Sequence, residues 1–486
     1  MALMEKIVWE YLWGMPLVLT ILFIGIFFTV TSGFFQFRFI PHIFKTSLGR
    51  LFGKDTEGEE GTLSSLEALS IAAGATVGVG NIGGVATAIA VGGPGAVFWL
   101  IVAGILGQVI KMAEVSLAVY FRNTQEDGHT YGGPTYYISK GLGKERGWNV
   151  IPKVLAFIFI FGFGVGFFLT MQNYTVSEAV ATTFDMNMIV VSVVYTVLLY
   201  LMISGGLPSL GKIASKIVPF MILFYLASGL FVIIKNAAVL PHAFGMIIGG
   251  AFNGSAALGG FAGAAFSQVI KIGMSRAVYS NEAGWGSSPM IHASAKTDHP
   301  IRQGILGIFE VFLDTIVICT ITSLVIIVTG EWSSGLSGAE LTLSAFETGI
   351  GSFGRIILAS GVLLFGITTS SGLYAQIEVL VRYLLGEENR KNKIILDIYK
   401  WSYPLPGLLL VVVAVVNEMP GTAVWLFADM STALPIFANL LSLLLLSGTF
   451  IKLLKDYKAR YLGIGEVDPE FRVFYDQEDI NKASNL

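Results

Sequence analysis

The sequence predicts an all-α membrane protein, and three observations carry that reading. Of its 486 residues, 54% are hydrophobic and only 13% are charged, where a soluble domain carries roughly 25%. Apolar runs of about 18 or more residues recur along the whole chain, long enough to cross hydrocarbon as helices. Those runs far exceed the ten or so alternating residues of a barrel strand. Length therefore counts membrane crossings rather than soluble domains, with the whole of 1–486 read as one transmembrane domain.

The spans fall near 9–33, 65–90, 95–121, 150–181, 188–204, 213–236, 242–273, 302–329, 354–385, 394–416 and 422–454, about eleven transmembrane helices. The first, "YLWGMPLVLTILFIGIFFTV", is too long for a signal-peptide core and lacks a small-residue cleavage site, so it reads as a retained span. Basic residues fix the orientation. Arg38, Lys45, Arg50 and Lys54 follow the first span, Lys140, Lys144 and Arg146 the third, and Lys212 and Lys216 the fifth. Arg276, Lys296 and Arg302 follow the seventh, and Arg390, Lys391 and Lys393 the ninth. The alternate connections 183–187, 330–352 and 417–421 contain no Lys or Arg. The positive-inside rule then places the N-terminus outside and the C-terminus in the cytoplasm of a cell-membrane protein.

Between the spans, "VGGPGAV" (91–97) reads as a tight external turn and "SGGLPSLGK" (204–212) as a short internal one. Residues 37–53 are amphipathic and suit the cytoplasmic membrane surface, while 335–350 reads as a short external helix. The acidic tail 457–486 reads as a solvated cytoplasmic appendage.

Composition also excludes several functions. A net charge of −3 and the lack of any basic stretch interleaved with aromatics give no sign of nucleic-acid binding. The five histidines are scattered, and no Cys, His and carboxylate cluster has ligand spacing or a catalytic arrangement. No enzyme and no organic cofactor are expected. The single cysteine, Cys319, reads as a small buried packing residue.

The most informative stretch is "GATVGVGNIGG" (74–84). Residues 78–83 match the G-x-G-x-x-G dinucleotide pattern, but that motif needs a strand before it and an acid about 20 residues after it. Here an apolar helix precedes it, and no Asp or Glu lies between Gly83 and Glu114. The dinucleotide reading fails. Two others remain: small residues that let helices pack closely, or a discontinuous helix whose unwound backbone lines a polar site. Thr76 and Asn81 beside the glycines favour the second, which demands another broken helix in an inverted repeat. Five spans later, "AFNGSAALGGFAGAAFSQ" (251–268) supplies one, with Gly259, Gly260, Phe261 and Gly263 at the candidate site. The repeats would be 64–237 and 241–456, with 9–33 an extra N-terminal helix.

"GVGNIGGVATAIAVGGPGAVFW" (78–99), "YGGPTYYISKGLG" (131–143) and "YSNEAGWGSSPMIHASAKTDHPIRQG" (279–304) resemble motifs of the alanine or glycine:cation symporter family. The likeness runs in order along nearly the whole chain. It implies a LeuT-like fold of five-plus-five inverted repeats importing a small neutral amino acid with sodium, or in some members protons. Glutamine is the alternative cargo, and a channel or receptor the alternative class. In this resemblance the carbonyls of Gly74, Val77 and Phe365 and the hydroxyls of Thr368 and Thr369 face a sodium ion. The amides of Val79 and Gly80 face the substrate carboxylate, a role that suits the start of a helix. Gln172 and Leu373 also fall at family binding positions, Leu373 where Trp is usual. A threonine in a membrane helix otherwise back-bonds to its own preceding turn. Tyr174 replaces an expected Asn and would narrow the site, and Glu67 replaces a Gln.

Ionisable residues within spans default to a functional reading. Asp314 and Asp429 are candidates for coupling, and Ser280, Asn281 and Glu282 for a cytoplasmic gate. The competing reading makes Glu310, Asp314 and their like structural partners of Lys111, Lys271 or Arg276.

Overall fold

A computed structural model describes residues 6–52, 62–124, 128–168, 171–253, 266–386, 390–419 and 421–476, with the backbone alone for 52, 167–168, 253 and 421–431. The described chain is almost entirely helical. An N-terminal helix α1 (Ile7–Thr31) and the surface helix α2 (Ile40–Phe52) lead into α3 (Ser65–Thr76), α4 (Gly80–Gly92) and α5 (Ala96–Tyr120). Then come α6 (Ile151–Phe168), α7 (Met171–Phe184), α8 (Met188–Ile203), α9 (Gly206–Lys235) and α10 (Leu240–Asn253). After α11 (Phe266–Asn281) and the short α12 (Ser287–His292) follow α13 (Pro300–Val328), α14 (Gly338–Ile350) and α15 (Ser352–Leu385). The chain ends with α16 (Arg390–Val416), α17 (Gly421–Leu445) and α18 (Ser447–Leu462). One antiparallel hairpin, β1 (Asn123–Thr124) with β2 (Thr130–Tyr131), interrupts the helices.

Among the described residues seven helices are long and apolar enough to cross a membrane, or nine if each bent pair is one span. Helix α8 has 16 residues, roughly 24 Å at the helical rise, and α10 is described from Leu240 to Asn253. The outward surface is apolar: Phe157, Leu201, Leu223 and Val416 are 66–70% exposed. The charged Lys111, Glu114, Glu310 and Asp314 are buried instead. That inversion of the soluble pattern is what lipid as a solvent demands.

Helix α3 starts at a reciprocal cap. The Ser64 hydroxyl accepts from the Glu67 N–H at 3.2 Å, and the Glu67 carboxylate accepts from the Ser64 N–H at 2.9 Å. Glu67 thus has a local role as a helix cap, which glutamine could also fill. Helix α3 packs on α9 and α15, α5 on α11 and α13, and α17 on α6. The base of α3 is tied by backbone to the segment after α12. The N–H groups of Thr62 and Leu63 donate to the Ser294 carbonyl at 2.8 and 2.9 Å, and Lys296 N–H donates to Leu63 at 2.8 Å. The Ser294 hydroxyl in turn donates to the Thr130 carbonyl of β2 at 2.7 Å.

Two local expectations change. Gly206, with φ +69°, already opens α9, so most of the expected 204–212 turn, Lys212 included, lies inside that helix. The tail is also anchored where it was expected to be solvated. Tyr475 N–H donates to the Tyr120 carbonyl at 3.0 Å, Asp476 pairs with Lys140, and the Arg122 guanidinium sits 4.9 Å from the Phe474 ring.

Candidate functional site

Helices α3 and α4 form one interrupted span, bent by 44°. At the break Val77 leaves the helical region with ψ 95°, freeing its carbonyl from the regular ladder. The chain then restarts at Gly80 without a side-chain cap, and the opening turn of a helix carries N–H groups that lack partners within it. The glycines here serve close approach. A Cβ on Gly74 would lie 2.9 Å from Val218 and 3.2 Å from the Thr368 Cβ, and one on Gly78 2.5 Å from the Thr369 hydroxyl. A Cβ on Gly80 would lie 3.2 Å from the Ser280 Cα. A larger residue at Gly80 therefore clashes with α11 whether or not the residue touches a ligand.

The residues expected to hold a cation converge on this break. Thr369 of α15 donates its hydroxyl across to the Gly74 carbonyl at 3.0 Å. Thr368 instead back-bonds, to Leu364 and Phe365 at 3.0 Å each, while its Cβ contacts the Gly74 position. Carbonyls and hydroxyls are hard oxygen donors of the type an alkali or alkaline-earth cation takes. Both hydroxyls can rotate to present lone pairs in place of protons.

The candidate substrate residues divide. The Thr76 hydroxyl is occupied by the Ala72 and Ala73 carbonyls at 3.3 and 3.2 Å. Val79 is buried at the restart, and Leu373 is buried one turn beyond Thr369 on α15. The Gln172 side-chain oxygen is buried without a hydrogen-bond partner among the described residues; Asn81 does not meet it. Tyr174 packs with Met171, Val411 and Ala414, so it fills the contact with α16 rather than narrowing the break. Gly259, Gly260, Phe261 and Gly263 lie outside the described residues, as does the Asp429 side chain.

Asn81 belongs to a polar cluster of its own. Its side-chain oxygen accepts from the Gly78 N–H at 2.8 Å, and its amide nitrogen donates to Asp314 at 2.6 Å. Asp314 also accepts from Ser280, at 3.0 Å, and from Thr315, at 2.8 Å. Asn281 donates to Thr315 at 2.9 Å. No Lys, Arg or His among the described residues pairs with Asp314.

Below it lies a second cluster, which does contain cations. Lys111 lies 3.7 Å from Glu310 and donates to the Glu282 carbonyl at 3.2 Å and the Ser288 hydroxyl at 2.9 Å. His292 meets Glu310 at 3.0 Å, and Glu282 accepts from Ser287. Glu114 accepts from the N–H groups of Gly284 and Gly286 at 3.1 and 3.0 Å and from the Asn439 amide. Glu310 is thus the structural ion pair foreseen with Lys111, whereas Asp314 is not. Cys319, read as packing, joins the upper cluster: Asn81 and Ser280 approach its sulfur at 3.3 and 3.2 Å. Thr315, His292 and Asn439 were missed as well. Only the polarity of Asn439 inside an apolar run marked it in the sequence.

The sequence model of the sodium:alanine symporter family matches residues 2–471. The chain belongs to this family. Among curated relatives, the sodium/alanine symporter AgcS of Methanococcus maripaludis is 36% identical over 91% of this chain and 94% of its own. The probable sodium/glutamine symporter GlnT of Bacillus subtilis is 33% identical over 98% and 93%. An uncharacterised transporter of Haemophilus influenzae is 37% identical over 97% and 98%. As a member of the sodium:alanine symporter family, the chain is a multi-pass membrane transporter and not an enzyme.

Proposed function

We propose that the protein imports a small neutral amino acid, alanine or glycine in type, together with sodium, by alternating access around the α3–α4 break. The observation that carries this reading is the Thr369-to-Gly74 contact of 3.0 Å, which brings two elements 295 residues apart to one point. In this reading Gly74, Val77, Phe365, Thr368 and Thr369 hold sodium through hard oxygens. The α4 N-terminus at Val79 and Gly80 receives the substrate carboxylate. The unpartnered Gln172 oxygen accepts from the substrate ammonium group, because a buried acceptor left empty is costly. Eleven spans in a LeuT-like five-plus-five repeat, with the N-terminus outside, complete the proposal. The 44° break in the first core helix and the alternating basic connections support it.

Radiolabelled uptake into proteoliposomes tests the proposal, using alanine, glycine and glutamine with and without an inward sodium gradient. Sodium-driven accumulation of alanine or glycine is expected. A preference for glutamine would move the cargo toward that of the Bacillus relative, and uptake indifferent to sodium would remove the coupling claim.

A further inference from the structure

Asp314 is fully buried within α13 and pairs with no cation among the described residues, yet it is tied by one residue to the backbone break. A lone carboxylate at membrane depth is expensive unless it is neutralised during its working life. We infer that Asp314 is a proton-binding site that takes up one proton with each imported amino acid and reports its occupancy to the α3–α4 break through Asn81. This rests on the transport reading above and adds a second coupling ion to it.

The groups around Asp314 favour a proton over a second metal ion. The Asn81 oxygen is held by the Gly78 N–H, so its NH2 must face the carboxylate. The Thr315 oxygen is taken by Asn281, and the remaining neighbour is the Cys319 sulfur. Donors and a thiol do not make the oxygen cage that a hard cation requires. A proton needs only one acceptor. Ser280 lies 3.0 Å from one carboxylate oxygen and 3.2 Å from the Cys319 sulfur. When a proton from the outside binds Asp314, the new O–H donates to the Ser280 oxygen, and the Ser280 hydroxyl proton turns toward the sulfur. When the proton leaves toward the cytoplasm, the Ser280 hydroxyl turns back to the carboxylate. No bond other than the carboxyl O–H forms or breaks.

The other charged or titratable groups near this site are committed elsewhere. On α13, Glu310 one turn earlier is paired with Lys111 of α5 and bonded to His292 of α12. Glu282, just past α11, is bonded to Ser287, and Glu114 of α5 is held by two N–H groups and Asn439. Arg276 of α11 stacks over the Trp9 and Tyr279 rings. From α4 the carboxylate meets only the neutral Asn81.

Coupling follows from the Asn81 bridge. While ionised, Asp314 draws the Asn81 amide and so orients the oxygen that holds the Gly78 N–H. Protonation weakens that pull at the point where sodium and substrate are held.

The test reconstitutes the full-length protein in vesicles that trap a pH-sensitive dye, and measures radiolabelled alanine, glycine and glutamine uptake in the same preparation. With an inward sodium gradient, the wild type should acidify the lumen by one proton per amino acid. Asp314→Asn should lower that ratio at least tenfold. Uptake without acidification, or an Asp314→Asn protein that acidifies like the wild type, overturns the inference and leaves sodium symport standing. Absence of sodium-dependent uptake of any of the three amino acids overturns the transport reading and this inference with it. Thr315→Val keeps the test decisive if Asp314→Asn fails to fold. It removes a donor to the carboxylate, so the proton is held more tightly and the pH midpoint of uptake should move about one unit toward alkaline. An unmoved midpoint in the folded variant overturns the assignment.

Discussion

The Thr369 hydroxyl donates to the Gly74 carbonyl at 3.0 Å, joining the middle of a continuous helix to the last turn of an interrupted one. Its neighbour Thr368 faces the same contact but spends its hydroxyl on its own helix. The two threonines therefore differ in what they contribute.

If Thr369 holds sodium as proposed, Thr369→Ala is expected to raise the sodium concentration for half-maximal uptake at least tenfold, since one oxygen ligand fewer is worth about 1.4 kcal/mol or more. Thr369→Ser should stay within about threefold of the wild type. Sodium titration of uptake measures both. An unchanged value in the alanine variant would take Thr369 out of the site.

Lys111→Met should destabilise the protein by about 3–5 kcal/mol, because it strands the buried Glu310 carboxylate. Both side chains are at most 1% exposed. Adding Glu310→Gln should recover much of that loss, and melting curves in detergent compare the three proteins. A Lys111→Met protein as stable as the wild type would show that the pair contributes nothing.

Glu67→Gln should leave both melting temperature and substrate preference unchanged, since glutamine preserves the reciprocal cap with Ser64. Glu67→Ala should cost about 1 kcal/mol of stability. If Glu67→Gln altered the ranking of alanine, glycine and glutamine, the residue would belong to the transport site as well as to the helix start.

His299 caps α13 through its imidazole, which accepts from the Ile301 N–H at 3.1 Å. Burial pushes its pKa down from 6.5 to about 4, outweighing the opposing hydrogen bond that its imidazole gives to Asp456. The folded state thus resists a proton that the unfolded chain accepts. The stabilising contribution is full above pH 6.5 and is lost as pH falls toward 4, by an amount on the order of 3 kcal/mol. His299→Asn retains a capping acceptor without this titration, and its melting temperature should vary less between pH 7 and pH 4.5. Equal slopes for the two proteins would exclude His299 as the cause.

How far the sequence could be read depended on what its patterns report. Long apolar runs reveal crossings, and the glycines of 74–84 reveal a break, because both are local properties of the chain. The partners across that break are not local. Asn81 and Asp314 lie 233 residues apart, and nothing in either stretch names the other. A helix that is apolar on all sides also hides which face meets protein. That is why Tyr174 was expected at the site and is found against Val411 and Ala414, and why Cys319 was read as packing. The cap of Glu67 with Ser64, by contrast, is a local pattern and is legible as S-x-x-E.

The main-chain ties between Leu63 and the 294–296 segment set the mechanics of the break. The half-helix below Val77 is clamped at its far end by three backbone hydrogen bonds, and through Ser294 to the β-hairpin. It cannot swing as a free arm. Any tilt about 77–79 drags the 294–296 segment and the hairpin with it, or first ruptures those bonds. In the alternating-access reading proposed above, this half-helix would move as a composite lever whose stiffness depends on residues 62–63 and 294–296 as well as on the glycines at its pivot.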